Sequence, residues 1–92
     1  MYVILVYDIK SDEGGQKVLS KTFKTCKKYL SHIQNSVFEG ELTTRELKQL
    51  ETEIYKIIKN TASSVVLYEL PSIKPLNKRI LGCATRNNDI II

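Results

Sequence analysis

The sequence has 92 residues, of which 42% are hydrophobic and 26% charged, and its formal net charge at pH 7 is +4. This length predicts one domain, residues 1–92, and the composition is that of a globular protein rather than a disordered one. The two cysteines, Cys26 and Cys83, exclude a Cys-x-x-Cys metal knuckle and a disulfide framework. Without a leader pattern or an apolar run of about 18 residues, we expect a soluble cytoplasmic protein with no membrane partner.

The first predicted strand is an apolar run, Tyr2–Tyr7, that ends on the carboxylate of Asp8. The run lacks the polar alternation of a strand with one wet face, which indicates burial on both faces or cover by a partner. A carboxylate where such a strand leaves the core has a rigid mount, suited to holding a metal or orienting a nucleophile. The other interpretation, which the run alone favours, is that Asp8 only begins the turn that follows.

Residues 14–30 predict an amphipathic helix that contains five lysines and no acid. Four lysines step by four, three and four residues, share one helix face, and are called the lysine stripe below: Lys17, Lys21, Lys24 and Lys28. Nearly opposite them lies a predicted core face: Leu19, Phe23, Cys26 and Leu30. An unpaired lysine stripe attracts a phosphate backbone through counterion release. The alternative is a solvated surface face, although such faces usually mix charges of both signs.

A second helix is predicted to begin after Thr43 and to end near Asn60. Thr43 and Glu46 have the spacing of a capping box, in which each side chain bonds the other residue's backbone. Acids and lysines alternate along this helix, and its apolar residues form one stripe: Leu47, Leu50, Ile54, Ile57 and Ile58. This pattern is typical of a structural helix.

The remaining apolar segments complete the predicted fold. His32–Glu39 is predicted to be the second strand, Ser64–Leu70 the third, and residues near Ile80 a late fourth strand. The order predicts an α+β ferredoxin-like βαββαβ sandwich, an antiparallel sheet with two helices on one face and the first and third strands central.

Three consecutive isoleucines end the chain: Ile90, Ile91 and Ile92. A bare apolar segment of this kind needs cover, because it otherwise invites pairing with another chain. These three residues are therefore predicted to form a short strand that adds to a sheet or packs at a two-fold dimer interface.

Two segments resemble the Cas-two family, the small CRISPR-associated proteins of spacer acquisition. One is Val6-Tyr7-Asp8-Ile9, and the other, about 26 residues on, is Gln34-x-Ser36-Val37-Phe38-Glu39-Gly40. The similarity continues through Leu42-Thr43 into the second helix and covers about two thirds of the chain. The second segment, at that distance and in a chain of this length, is the more specific of the two.

The resemblance implies a symmetric homodimer with a divalent metal, usually Mg²⁺, held near the two copies of Asp8 at the interface. It also implies partnership with the Cas-one integrase, binding of duplex DNA, and a metal-dependent endonuclease activity on RNA or DNA, with single-stranded RNA a possible substrate. Magnesium prefers six oxygens in octahedral geometry, so one carboxylate per chain is too few and a two-fold axis would supply the second.

The sequence departs from the family at its basic positions. Many members carry arginines after the aspartate, whereas only Lys17 is basic within residues 13–17, and His32 stands where arginine is frequent. Lysine offers phosphate a point charge in place of a planar fork, which predicts a weak or lost nuclease with DNA binding retained. Tyr7 and His32 are candidate helpers of Asp8, but a core or interface aromatic and a plain strand residue are the alternatives.

Three functions are open from these residues and from what the resemblance implies. The first is a dimeric nucleic-acid-binding adaptor for the integrase, and the second is a magnesium-dependent phosphodiesterase centred on paired Asp8. The third is a ferredoxin-like RNA- or small-ligand-binding module without nuclease activity. An RNA-recognition domain stacks bases on aromatics of its central strands, and Tyr68 is the only aromatic on the predicted third strand, so the third function is the weakest.

Overall fold

The computed structural model describes residues 1–10, 14–72 and 76–82. The elements follow one another as β1 (Tyr2–Asp8), α1 (Gly15–Tyr29), β2 (Ser31–Gln34), β3 (Val37–Glu41), α2 (Thr44–Ile58) and β4 (Ser64–Leu70). The strands form one antiparallel sheet in the order β2-β3-β1-β4, and residues of both helices join a single core against one face of that sheet. The predicted α+β ferredoxin-like fold is therefore confirmed.

Two strand assignments from the sequence are wrong. The predicted second strand, His32–Glu39, is a hairpin in which β2 and β3 are separated by a turn at Asn35 and Ser36. Asn35 has a φ of 40°, a conformation that asparagine tolerates better than most residues, and this allows the chain to reverse within an unbroken strand-like sequence.

This hairpin changes the numbering of every later strand. Ser64–Leu70 becomes β4, which lies at the edge of the sheet beside β1, while β3 takes the second central position. The late strand predicted near Ile80 is also absent, because the described residues 76–82 contain only an isolated bridge at Leu81.

The predicted C-terminal strand lies in a part of the chain that the structure does not describe. Its three residues, Ile90, Ile91 and Ile92, lie outside the described residues, and so does Cys83. The short terminal strand and its place at a dimer interface therefore stay predictions.

The apolar side chains of β1 lie alternately on the two faces of the sheet. Val3, Leu5 and Tyr7 are buried beneath the helices, and Leu5 is paired in register with Phe38 of β3. Ile4 and Val6 point to the other face and are half-buried in the single chain. That second face carries further apolar side chains and is called the open face below: Ile4, Val6, Val37, Val66 and Tyr68. Burial of β1 on both faces therefore needs cover beyond the described chain.

The helix α2 begins and packs as its sequence predicts. The Glu46 backbone N–H donates to Thr43 Oγ1 at 3.1 Å, and the Thr43 N–H donates to Glu46 Oε1 at 2.9 Å, which completes the capping box. Leu47, Leu50 and Ile54 are buried in the core. The predicted core stripe of this helix is confirmed at its first three positions.

The predicted core face of α1 is confirmed only over its second half. Cys26 and Leu30 are buried and Phe23 is half-buried, but Leu19 is 37% exposed and lies on the wall of a groove. Two threonines, Thr22 and Thr25, are buried with the core residues, although hydroxyl side chains are poor indicators of a buried face. The buried face of α1 is thus more polar than the stepping of its apolar residues predicts.

One of these threonines leads to a stability prediction. Thr22 is fully buried, and its hydroxyl has no hydrogen-bond partner among the described residues. Replacing it in Thr22→Val removes an unsatisfied polar group at nearly constant shape, and we expect a stabilisation of about 1 kcal/mol. In a domain of this size that corresponds to a rise in Tm of about 4–8 °C, measurable by circular dichroism.

The matched control for this change is Thr52→Val on α2. The Thr52 hydroxyl is exposed and donates to the Lys48 carbonyl at 2.9 Å. Because it is neither buried nor unsatisfied, its removal relieves no desolvation cost. We expect no rise in Tm for Thr52→Val. A Tm for Thr22→Val at or below that of the wild type would show that the buried hydroxyl carries no cost.

Candidate nucleic-acid and metal site

Asp8 is the last residue of β1 and its side chain is exposed. The strand is held on both sides at this point: Asp8 is in register with Ser64 of β4, and the Tyr7 backbone N–H donates to the Ser36 carbonyl at 3.2 Å. The carboxylate therefore stands on a fixed piece of backbone at the end of a central strand. This is the rigid mount that the sequence predicts, with the carboxylate free to meet a ligand.

A groove of about 550 Å³ lies beside Asp8, between the end of β1, the first half of α1 and the β2–β3 turn. It is called the Asp8 groove below. Its apolar lining includes Ile9, Leu19 and Phe23, and among the described residues that line it Lys24 is the one cation and Asp8 the one acid. Four polar residues complete the lining: Gln16, Ser20, Asn35 and Ser36. The groove places part of the lysine stripe beside the carboxylate, which the sequence could not show.

Tyr7 lies almost wholly in the core, and only a small part of it reaches the floor of the Asp8 groove. Its ring centroid is 6.0 Å from that of Phe38. Burial raises the pKa of Tyr7, and the nearby Cys26 thiol adds to the shift in the same direction. The phenol stays protonated at neutral pH, so this placement favours the core interpretation of Tyr7 over a helper role.

His32 lies on β2, and its ring packs on the helix side of the sheet. Its centroid is 4.9 Å from that of Phe23 and 4.8 Å from that of Phe38, while its Nε2 lies 2.8 Å from the Asn35 carbonyl oxygen. His32 is absent from the lining of the Asp8 groove, but both Phe23 and Asn35 line it. The geometry therefore fits a residue that supports the wall and the turn.

The donor set for a metal is incomplete in one chain. Within residues 1–10, 14–72 and 76–82, no group of three or more histidine, cysteine, aspartate or glutamate side chains could hold an ion. Asp8 alone offers one carboxylate, whereas magnesium takes six oxygens and usually keeps several waters. A single chain thus fits magnesium only as half of a site, to be completed by a second carboxylate together with water or phosphate oxygens.

The lysine stripe is exposed along its whole length, but it is not free at every position. Lys28 forms an ion pair with Glu53 of α2, and the Tyr29 hydroxyl donates to the same carboxylate. Hydrogen bonds from Lys28 and then from Tyr29 lower the pKa of Glu53. The prediction of an unneutralised stripe is therefore wrong at Lys28, because the packing of α2 beside α1 brings an acid that is distant in sequence.

The other three stripe lysines, Lys17, Lys21 and Lys24, form no ion pair with any acid in the part of the chain that the structure describes. All three are exposed, and they run along α1 from its first turn to the Asp8 groove. No described acid neutralises their charge. A phosphate backbone following these lysines would pass the carboxylate of Asp8.

A second polar cluster, which the sequence analysis missed, lies on the open face of the sheet. Glu39 of β3 is only 7% exposed, whereas Glu41, the other acid on the same face of this strand, is exposed. Lys78 forms an ion pair with it, and the Tyr2 hydroxyl bonds it as well. Burial, and then the hydrogen bond to Glu39, raise the pKa of Tyr2 to about 12. The ion pair holds Lys78 of the C-terminal segment against the outer side of β3.

The only sequence signal for this cluster was an acid at an outward position of an apolar strand. Such a residue must be paired or hydrogen-bonded if it is buried, but the sequence alone did not indicate its partners. Lys78 is 39 residues away along the chain, and only the tertiary structure brings the two together.

These features define a small ferredoxin-like α+β domain in which an exposed strand-end carboxylate lies beside a basic helix face. Among the described residues, neither helix is long and apolar enough to cross a lipid bilayer.

Comparison with known proteins identifies the family. A sequence model described as CRISPR associated protein Cas2 matches residues 1–75. The CRISPR-associated endoribonuclease Cas2 of Fusobacterium nucleatum subsp. nucleatum is 40% identical over 89 residues, which cover 97% of this chain and 84% of that protein. The protein of the same name from Dictyoglomus turgidum is 38% identical over 92 residues, 100% of both chains.

A solved structure agrees with the sequence comparisons. The crystal structure described as that of cas2 has a TM-score of 0.80 and 36% identity, and the match covers 100% of this chain and 98% of that chain. The chain therefore belongs to the Cas2 family, and the resemblance noted in its sequence is confirmed.

Proposed function

We propose that the protein is a homodimeric nucleic-acid-binding component of CRISPR spacer acquisition, with a weak magnesium-dependent endonuclease site at two copies of Asp8. The observation that carries this proposal is the continuity of three exposed lysines on α1, which pair with no described acid, with the groove that contains Asp8. Duplex DNA is the main ligand and the Cas-one integrase the protein partner. The relatives are named endoribonucleases, which makes single-stranded RNA the first substrate to test for cleavage.

The open face of the sheet supports the dimer. Val66 is 46% exposed and Tyr68 57% exposed, and both adjoin the half-buried Ile4 and Val6 across the β1–β4 pairing. A contiguous apolar surface of this kind is typical of a protein–protein interface. A second copy placed on it would cover the second face of β1, whose first face already packs under the chain's own helices, and this is what the unbroken apolar run predicts.

The C-terminal isoleucines are proposed to add to that interface. Ile90, Ile91 and Ile92 are apolar and consecutive, so they gain from burial against a sheet edge or a second copy of the chain. Their contribution is a proposal from the sequence, since they lie beyond the part of the chain that the structure describes.

The same dimer would complete the metal site. Asp8 follows Val6 on the same side of β1, so a two-fold axis through the open face near this end of the strand would bring the two carboxylates toward each other. The two copies of Asp8 would hold magnesium, which when bound polarises a phosphodiester and activates water. The residues of the chain itself attract the phosphate and hold the carboxylate: Lys24 offers a positive charge, and the rigid end of β1 fixes Asp8.

Lysine chemistry explains why the proposed cleavage is weak. The described cations near the groove are lysines, which attract phosphate as point charges but do not orient it through two parallel hydrogen bonds as arginine does. Binding by counterion release needs only charge, whereas catalysis needs the reacting atoms held in place. The structure therefore favours nucleic-acid binding as the main role over rapid cleavage.

The alternative, an RNA- or small-ligand-binding module without nuclease activity, has less support. Its natural stacking platform would be aromatics on the central strands β1 and β3 at the open face. The exposed aromatic of that face, Tyr68, belongs to the edge strand β4, and Tyr2 of β1 is buried with Glu39. The open face is thus better suited to a second copy of the chain than to stacked bases.

Charge removal on α1 tests the binding role. In the triple variant Lys17→Gln, Lys21→Gln, Lys24→Gln we expect affinity for duplex DNA to fall about tenfold or more at moderate salt. The slope of log affinity against log salt should become less negative by about 0.9 for each lysine that contacts a phosphate. Fluorescence anisotropy with a labelled duplex over a range of salt concentrations measures both quantities.

The matched control removes the same charge from α2. Lys48 and Lys56 are exposed on that helix and Lys59 at its C-cap, and their triple replacement by glutamine changes the net charge equally. We expect this variant to retain most of the affinity and the salt slope. Equal losses in the two triple variants would mean that net charge alone attracts the duplex and that the α1 surface is not the binding site.

A further inference from the structure

We propose that the Asp8 groove is a subsite for the base of one unpaired nucleotide, beside the phosphodiester that Asp8 acts on. This inference rests on the proposed function and deepens it, because it assigns a ligand to the apolar part of the site. The lysines of α1 explain how a phosphate backbone is attracted, but they leave the apolar wall beside them without a role.

The size of the groove fits one nucleotide. Its volume of about 550 Å³ lies within the range of small-ligand sites, which is about 300–1,000 Å³. The groove lies between a helix, a strand end and a hairpin turn, so it admits a single flat group rather than a stacked duplex. A base would have to leave its pair to enter.

The lining has the chemistry that a base requires. Leu19, Phe23 and Ile9 offer apolar surface to the faces of an aromatic ring, and Leu19 stays 37% exposed on the helix side that is otherwise core. Bases of any sequence stack on such surface because every base has a π-face. The amides of Gln16 and Asn35 carry both donors and acceptors, which suit the edge of a base.

The apolar wall is also held in a fixed place. The Phe23 ring makes edge-on contacts with Phe38, at 5.5 Å between centroids, and with His32, at 4.9 Å. His32 in turn holds the Asn35 carbonyl through its Nε2. A preformed wall lowers the entropic cost of ordering a ligand against it. His32 therefore acts on the subsite as a positioning residue.

Charge selects a nucleotide over an uncharged aromatic ligand. Lys24 lines the groove and forms no ion pair with a described acid, so it can offset the repulsion between a phosphate and Asp8. The groove also continues into the exposed lysines along α1, which direct an anionic strand toward it. A ligand with a flat base and a phosphate can contact both the apolar wall and the Lys24 ammonium group.

The test compares AMP with ribose 5-phosphate, which carries the phosphate and sugar but no base. Each is titrated into ¹⁵N-labelled protein in the presence of EDTA, so that no metal at Asp8 contributes. We expect AMP to shift the amide signals of Gln16, Ser20, Asn35 and Ser36, and to bind about tenfold more tightly than ribose 5-phosphate. Similar affinity for the two compounds, or shifts confined to other parts of the protein, would overturn the proposal.

Two variants make the location specific. Ser20→Leu fills the groove with a good helix former, and we expect it to lower AMP affinity about tenfold while ribose 5-phosphate binding stays the same. Gln49→Leu makes an equally apolar change on the exposed face of α2, outside the groove, and should leave AMP binding unchanged. Equal effects of the two variants on AMP would contradict the assignment.

The AMP test of the base subsite can fail independently of the tests of the proposed function. Duplex binding and magnesium-dependent cleavage are measured without AMP, and they do not depend on the base-to-sugar comparison. If AMP shows no preference while duplex binding and cleavage persist, the subsite proposal alone fails. If a second copy of the chain covers the groove in solution, AMP shifts none of the four signals, and the groove is then part of an interface.

Discussion

Replacing the strand-end carboxylate in Asp8→Asn is expected to lower magnesium-dependent cleavage by about 100-fold or more. Asparagine keeps the size and the hydrogen-bonding capacity of the side chain but removes the charge that a hard cation requires. A metal that polarises the phosphodiester contributes several kcal/mol to the transition state, and each ~1.36 kcal/mol is a factor of ten in rate. The measurement is single-turnover cleavage of a labelled single-stranded RNA with magnesium, with EDTA as the blank.

The structure of the protein should be unaffected by this change. Asp8 is exposed, and no hydrogen bond or ion pair of its side chain to a described residue is present. We therefore expect the Tm and the duplex affinity of Asp8→Asn to equal those of the wild type. Cleavage that persists undiminished in Asp8→Asn would remove Asp8 from the active site and leave it as a turn residue.

If the proposed homodimer forms, mixed dimers will show whether cleavage needs both copies of Asp8. When wild type and Asp8→Asn are exchanged in equal amounts, random pairing gives about a quarter wild-type dimers. If one site needs two carboxylates, cleavage should fall to about a quarter of the wild-type rate, and to about half if each chain acts alone. A linear dependence on the wild-type fraction would therefore contradict the paired-carboxylate site even if Asp8→Asn itself is inactive.

Truncation of the central aromatic in Phe38→Ala is expected to destabilise the domain by about 3–5 kcal/mol. Phe38 is fully buried and its ring contacts those of Tyr7, Phe23 and His32, so its removal leaves a cavity lined by three rings. A small domain has a total stability of about 5–15 kcal/mol, and the loss is a large part of it. Urea or thermal unfolding at one fixed protein concentration measures the change, since a dimer's stability depends on concentration.

The control for this prediction is an aromatic on the surface. Tyr55 of α2 is 66% exposed, and Tyr55→Ala should change the free energy of unfolding by no more than about 0.5 kcal/mol. A second variant, Phe38→Leu, retains much of the apolar volume and should lie between the wild type and Phe38→Ala. A loss below about 1 kcal/mol in Phe38→Ala would show that the aromatic cluster does not hold the sheet to α1.

The strand assignments show which parts of the fold the local sequence pattern predicted correctly. The apolar run of β1 and the capping box of α2 are strong local signals, and the structure contains both where they were expected. Asn35 and Ser36 are both common turn residues, but the β2–β3 hairpin was missed because the apolar residues on either side of them, Ile33 and Val37, favour one continuous strand. In the structure the chain reverses at Asn35, which has a positive φ. One missed turn was enough to move Ser64–Leu70 from the centre of the sheet to its edge.

The site shows the same division between local pattern and packing. Helical periodicity placed the four lysines of the stripe on one face, and all four are exposed. It could not show that Lys28 is paired, because Glu53 is 25 residues away and reaches it only through the packing of α2 on α1. Periodicity also assigned Leu19 to the core, whereas in the structure Leu19 is partly exposed and lines the Asp8 groove.

The sequence by itself determined the family, the fold class and the position of Asp8 at the end of a buried strand, because each depends on residues adjacent in the chain or repeated at a fixed period. Within the described residues, the tertiary structure alone decided which lysines pair with no acid, which face of the sheet stays partly exposed, and which side chains form the Asp8 groove. These are properties of residues far apart in sequence, such as Asp8, Lys24 and Asn35, which share a surface only after the sheet and helices have packed. Local propensity and periodicity carry no record of such long-range contacts.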